Sequence, residues 1–170
     1  LPYRLSRSQD VVPSMHIPGP PMRLTAFTDL GLRALMRLAA EPPGAALTTD
    51  ALARDLAISR HHLQKVVQAL AESGFLRTLR GARGGVALAR PAGEIRLGTV
   101  VRRLERDQVL VECFHADPAR ACACTLLPHC RLRGALVEAR EAFHASLDRL
   151  SLADCAVPRR RGMAAAGTAA

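Results

Sequence analysis

Between Thr25 and Ala89 the chain carries three short helical periodicities, then two apolar runs parted by Arg80-Gly81-Ala82-Arg83-Gly84-Gly85. Three glycines in six residues break any regular element, so the runs Phe75–Leu79 and Val86–Ala89 are expected to fold back as a hairpin. Upstream, Phe27, Leu30, Ala34, Leu35 and Leu38 recur at helical spacing from Thr25, and Glu41-Pro42-Pro43-Gly44 ends that helix because proline cannot continue the backbone ladder. A second helix starts at Thr48 or Thr49 with Leu52 and Leu56 inward. Ile58 and Ser59 form a turn, and Ser59 caps a third helix carrying Leu63, Val66, Val67 and Leu70. Gly74 is placed to close it. Three helices and a hairpin in this order predict a winged helix-turn-helix.

The rest of the chain extends that unit. Leu97 to Leu104 predicts a fourth helix. Leu132, Leu136, Ala139, Phe143, Leu147 and Leu150 step by three or four residues along a long C-terminal helix. That stripe either docks on its own domain or is shared with a second copy, the arrangement that palindromic operators favour. The expected fold class is mainly α with a small β-hairpin: a winged helix-turn-helix plus a long C-terminal dimerisation helix. The expected divisions are a disordered, proline-rich lead at 1–21, the winged DNA-binding unit at 22–92 and a connecting helix with cysteine loop at 93–131. A dimerisation helix at 132–155 and a disordered basic tail at 156–170 follow.

Charge points to the partner. The net charge is +9 and the isoelectric point about 10.8, a balance suited to a polyanion. One Tyr, four Phe and no Trp argue against base-stacking platforms for single strands or RNA. Double-stranded DNA is the expected partner. In a helix-turn-helix the second helix of the pair enters the major groove by its N-terminus, which here offers Ser59, Arg60, His61 and His62, with Lys65 one turn on. Arg80, Gly81 and Arg83 of the wing suit a phosphate row or a minor groove. Each of these residues taken singly is equally consistent with an ordinary solvated face. No stretch approaches the ~20 apolar residues of a membrane span, and no secretory signal is evident, so a cytoplasmic location is expected. No catalytic constellation or phosphate-cradling loop is present, so an enzyme is not expected.

Four cysteines lie within eighteen residues: Cys113, Cys122, Cys124 and Cys130. Clustered thiols in a reducing compartment signal metal or redox chemistry, and soft sulfur donors favour iron–sulfur clusters or zinc. Structural zinc with His115 or His129 is one alternative, although the spacing is not two Cys-x-x-Cys knuckles. A disulfide switch through Cys122 or Cys124 is another. Cys155 reads as a free, non-ligating thiol. Asp29, like Thr25 and Thr28, is by itself a good helix cap.

Several segments together resemble the NsrR family of bacterial nitric-oxide-sensitive repressors. They are Met22-Arg23-Leu24-Thr25-Ala26-Phe27-Thr28-Asp29-Leu30-Gly31-Leu32-Arg33-Ala34-Leu35, Ser59-Arg60-His61-His62-Leu63-Gln64-Lys65-Val66, the wing hexapeptide, Val111-Glu112-Cys113-Phe114, and Cys124-Thr125-Leu126-Leu127-Pro128-His129-Cys130-Arg131-Leu132. The resemblance spans about residues 22–155. Regulators of the IscR type, which report iron–sulfur supply, are similar but lack Phe27-Thr28-Asp29. The resemblance implies a homodimeric repressor that responds to nitric oxide through one iron–sulfur cluster per subunit, [4Fe-4S] or [2Fe-2S]. The implied ligands are three loop cysteines, matched here by Cys113, Cys124 and Cys130, with Asp29 of the partner subunit. The chain departs from the family in having a fourth loop cysteine. Cys122 or Cys124 can therefore serve as the middle ligand, or all four can form a site without Asp29.

Overall fold

The computed structural model describes residues 24–81, 84–106, 109–115, 117, 124–127 and 129–156. The lead Leu1–Pro21, Arg83, Cys122 and the tail from Pro158 lie outside the described residues.

Local capping sets the order of the helices. The Thr25 hydroxyl accepts from the Thr28 backbone N–H at 3.1 Å and opens α1, Ala26–Ala39. Thr48 does the same for α2, Thr49–Asp55, accepting from Ala51 at 3.1 Å. Ser59 accepts from His62 at 3.3 Å and starts α3, Arg60–Glu72. Each cap relieves one of the four unpaired donors at a helix start. α1 stops just ahead of the Pro42-Pro43 pair and buries Thr28, Gly31, Ala34, Leu35 and Leu38. Phe27, on the same stripe by spacing, stays 37% exposed beside a groove lined by Ala69, Arg103 and Leu104.

Two helices end alike with different residues. After α3, Gly74 sits at φ +73°; its N–H donates to Ala71 O at 3.0 Å, and Phe75 N–H reaches Leu70 O at 2.9 Å. After α2, Ala57 sits at φ +55°; its N–H donates to Arg54 O at 3.1 Å, and Ile58 N–H reaches Ala53 O at 3.0 Å. Both are Schellman closures, and the second forces a Cβ into the left-handed region. Replacing Ala57 by Gly is therefore expected to stabilise the fold by about 1 kcal/mol and to raise the melting temperature by about 3 °C. A thermal scan followed by circular dichroism checks it; an unchanged or lower midpoint removes the strain argument.

The wing is β1, Leu76–Leu79, paired antiparallel with β2, Gly85–Leu88, in the register Leu76 to Leu88 and Leu79 to Gly85. The segment before α2 adds a single bridge to β2, with Leu47 N–H donating to Val86 O at 3.0 Å and Val86 N–H to Leu47 O at 2.8 Å. α4 is Leu97–Leu104, and α5 is the long helix Arg131–Asp148.

One core joins all of this. Leu35, Leu52, Leu63, Val66, Leu70 and Phe75 of the helix-turn-helix pack in the same buried cluster as Ile95, Leu97, Val100 and Leu152. Burial of each such side chain is worth about 1.5–3 kcal/mol. A short bridge closes the end of the chain onto α4: Leu97 N–H donates to Leu150 O at 3.1 Å, and Leu152 N–H to Ile95 O at 2.8 Å. α5 behaves differently along its length. Leu147, at its end, and Leu150, just beyond it, pack against the core. Leu132 is 64% exposed, Ala139 is exposed, and no residue of the helix is fully buried. No helix among the described residues is long and apolar enough to cross a membrane.

Candidate nucleic-acid interface and thiol loop

The apolar positions of α3 face the core, which turns the opposite face out. Ser59, Arg60, His61, His62, Gln64 and Lys65 are all exposed. Arg60 is held by an ion pair with Asp50 of α2, Nη1 to Oδ1 at 3.3 Å, with both side chains about 60% exposed. Sequence spacing gave no sign of that pair, because it depends on how the two helices cross. An exposed pair of this kind is weak and exchanges readily for a phosphate.

The wing tip links β1 to β2. Arg80 and Gly81 are exposed, and Gly81 takes φ +101°. Its carbonyl accepts from Gly84 N–H at 2.7 Å, which tightens the tip. Gly85 lies against the Leu47 backbone so closely that a Cβ has no room. Arg77 anchors the wing base, donating to Leu88 O and Gly44 O at 3.3 Å each.

Cys113 sits in a short turn, Glu112–Phe114, and Cys130 is the residue from which α5 starts. Cys113, Cys124, Cys130 and Cys155 are free thiols, each half-buried. Among the described residues no three Cys, His, Asp or Glu side chains converge as a metal cage. The donors present suit a soft metal centre: three unpaired thiols in one loop, with His115 and His129 close to Cys113 and Cys130 in sequence. Phe114 is the residue that sequence reading missed. The guanidinium groups of Arg140 and Arg133 on α5 stand 5.2 and 5.7 Å from its ring centre. Cys155 stays apart from the loop; it packs against the core, and burial pushes its thiol pKa up.

Asp29 lies in the first turn of α1 with its side chain 63% exposed, 3.7 Å from Arg33 Nη1. It does not act as the cap, since Thr25 fills that role. A second, unforeseen carboxylate grips the same helix start. Glu105, just past α4, accepts from Thr25 N–H and from the Thr25 hydroxyl at 2.8 Å each. Burial pushes the Glu105 pKa up, but hydrogen bonds from Thr28 and Thr25 outweigh this and hold it below its usual value, so the carboxylate is ionised at neutral pH.

In the last turn of α4, Arg102 Nη2 meets Asp148 Oδ2 of α5 at 2.5 Å. Gly98 lies directly under α5, where a Cβ would come within 2.6 Å of the His144 carbonyl oxygen. His144 Nδ1 is buried there without a hydrogen-bond partner among the described residues; burial first, and then Arg102, lower its pKa.

A winged helix-turn-helix with an exposed basic reading helix and a basic wing defines a DNA-binding transcriptional regulator. The chain belongs to the Rrf2 family, described as iron-dependent transcriptional regulators, whose sequence profile matches residues 24–157. It is 44% identical over 133 residues to the HTH-type transcriptional regulator NsrR of Geobacillus kaustophilus (strain HTA426), covering 78% of this chain and 88% of that protein. It is 41% identical over 133 residues to NsrR of Bacillus subtilis (strain 168), covering 78% and 89%. The solved structure of CymR, the global cysteine regulator of B. subtilis, matches with a TM-score of 0.60 at 25% identity, over 80% of this chain and 97% of that one. These relatives are transcriptional regulators and not enzymes.

Proposed function

We propose that this chain is a homodimeric repressor whose grip on operator DNA depends on an iron–sulfur cluster and is released by nitric oxide. The observation that carries the reading is the thiol loop itself: three free, half-buried cysteines between α4 and α5 of a winged regulator. Cys113, Cys124 and Cys130 would hold the cluster, [4Fe-4S] or [2Fe-2S], and Asp29 of the partner subunit would complete it. The outward-facing carboxylate of Asp29 supports a donor given to another chain. The uncovered N-terminal half of α5, with Leu132 exposed, supports a second copy along that helix. When bound, the cluster would supply iron that reacts with nitric oxide.

The chain's own residues do the rest. Ser59 and the first amides of α3 hold a phosphate, while Arg60, His61, His62 and Lys65 face the major groove. Arg80 and Gly81 of the wing sit on the neighbouring backbone or minor groove. Two such units must stand about one helical turn of DNA apart, so their separation sets the affinity. Tying the Cys113 turn and Cys130 together holds α5 and, through Arg102 and Asp148, the winged unit in one pose. Losing that tie relaxes the spacing. A coupling of 1–3 kcal/mol is typical of such switches, and about 1.4 kcal/mol is already tenfold in affinity.

Anaerobically prepared protein is expected to be coloured and to contain iron. Cys113→Ala, Cys124→Ala and Cys130→Ala should each remove colour and iron, whereas Cys122→Ala and Cys155→Ala should keep both. Nitric oxide should release promoter DNA from the wild type in a gel-shift assay. Colourless, iron-free wild-type protein that still binds its promoter tightly overturns the reading; stoichiometric zinc in its place makes the loop a structural metal site.

A further inference from the structure

Phe114 is one of only four phenylalanines in the chain, and it is spent on a half-buried loop position rather than in the core. Its ring lies within reach of two cations from one helix, Arg140 at 5.2 Å and Arg133 at 5.7 Å. These two arginines are seven residues apart, two turns along the same helical face. A guanidinium within about 6 Å of an aromatic face is attracted by the ring quadrupole. Arg140 also pairs with Glu141 at 3.1 Å, an exposed contact that adds little. The ring therefore pins the turn that holds Cys113 to the helix that begins at Cys130.

We propose that Phe114 is a positioning residue: held by its π face against Arg133 and Arg140, it fixes Cys113 relative to the start of α5. The inference rests on reading the thiol loop as the cluster site, but the clasp itself acts in the metal-free chain. α5 is fastened at its other end to α4 by Arg102 and Asp148. A displaced Cys113 turn is thus felt along the helix rather than absorbed in the loop.

The test is the rate at which a maleimide modifies Cys113 in metal-free protein, read by mass spectrometry of the Cys113 and Cys155 peptides. Phe114→Leu, which keeps an apolar side chain but removes the ring, is expected to speed Cys113 modification about tenfold, the combined loss of two solvent-exposed cation–π contacts. Phe114→Tyr, which keeps the ring, should stay within about twofold of wild type. Arg133→Gln combined with Arg140→Gln should match Phe114→Leu while leaving the aromatic in place. An unchanged Cys155 rate reports an intact fold. Should Phe114→Leu loosen the fold and raise both rates, the arginine pair on the exposed face of α5 decides the matter. A leucine variant or an arginine pair that reacts like wild type overturns the proposal, as does a tyrosine variant as fast as leucine. In iron-loaded protein, Phe114→Leu should also lose iron to a chelator faster than wild type. If the wild type takes up no iron, the cluster reading fails while the alkylation rates still decide the clasp.

Discussion

Lys65→Ala combined with Arg80→Ala is expected to lower affinity for double-stranded DNA about a hundredfold and to flatten its salt dependence by about two units of slope. Both side chains are exposed, one on the outer face of α3 and one at the wing tip, where a Lys or Arg can neutralise a phosphate. Each phosphate contact releases a condensed counterion worth about 0.9 in the slope of log K against log salt. Because neither residue touches the core, the melting temperature should not move. Arg60→Ala should behave differently: a guanidinium that reads a base costs about 1–3 kcal/mol and relaxes sequence preference at one position, with little change in slope. Fluorescence anisotropy with a labelled duplex at several salt concentrations separates these outcomes. Full affinity in the double variant would take both α3 and the wing out of the interface.

Gly98→Ala should cost about 3 kcal/mol and lower the melting midpoint by roughly 10 °C. The added methyl would come within 2.6 Å of the His144 carbonyl oxygen and also strike the Asp148 carboxylate. The carbonyl belongs to helical backbone, so α5 itself must shift and the Arg102 pairing with Asp148 stretches. Such a loss is a large share of the roughly 5–15 kcal/mol that holds a domain of this size. Gly74→Ala is the control. Nothing lies within 4 Å of a Cβ there, so only the φ of +73° opposes it, at about 1 kcal/mol. Equal midpoints for the two variants would mean that α5 does not press on Gly98.

Much of this architecture was legible in the residues, for local reasons. Thr25, Thr48 and Ser59 stand immediately before apolar residues at helical spacing, and Gly74 just after them, so the helix ends are written in three or four neighbouring positions. The hairpin was legible because the glycine-rich hexapeptide isolates two β-prone runs. The Leu47 bridge was not, since one bridging residue has no period to detect. Glu105 and Phe114 were hidden for a different reason. Glu105 matters because α4 ends beside the start of α1, eighty residues away in sequence, and Phe114 matters because α5 runs past the Cys113 turn. No window along the chain contains both partners. Of the candidate site, the polar face of α3 and the wing residues Arg80 and Gly81 are exposed. The thiols of Cys113, Cys124 and Cys130 are free and half-buried, yet the chain alone does not gather them. Asp29, a plausible cap by composition, leaves capping to Thr25.

The antiparallel bridge between Ile95–Leu97 and Leu150–Leu152 sews the far end of the chain into the base of the winged unit. A flexible linker would let the two ends of the chain move independently. Here Leu152 is wholly enclosed in the same buried cluster as Leu63, Val66 and Leu70 of α3, so the far end of the chain and the helix-turn-helix share one core. Cutting the chain after α5 would strip Leu152 from the core beside α1, and the winged unit is not expected to survive as a free-standing fragment.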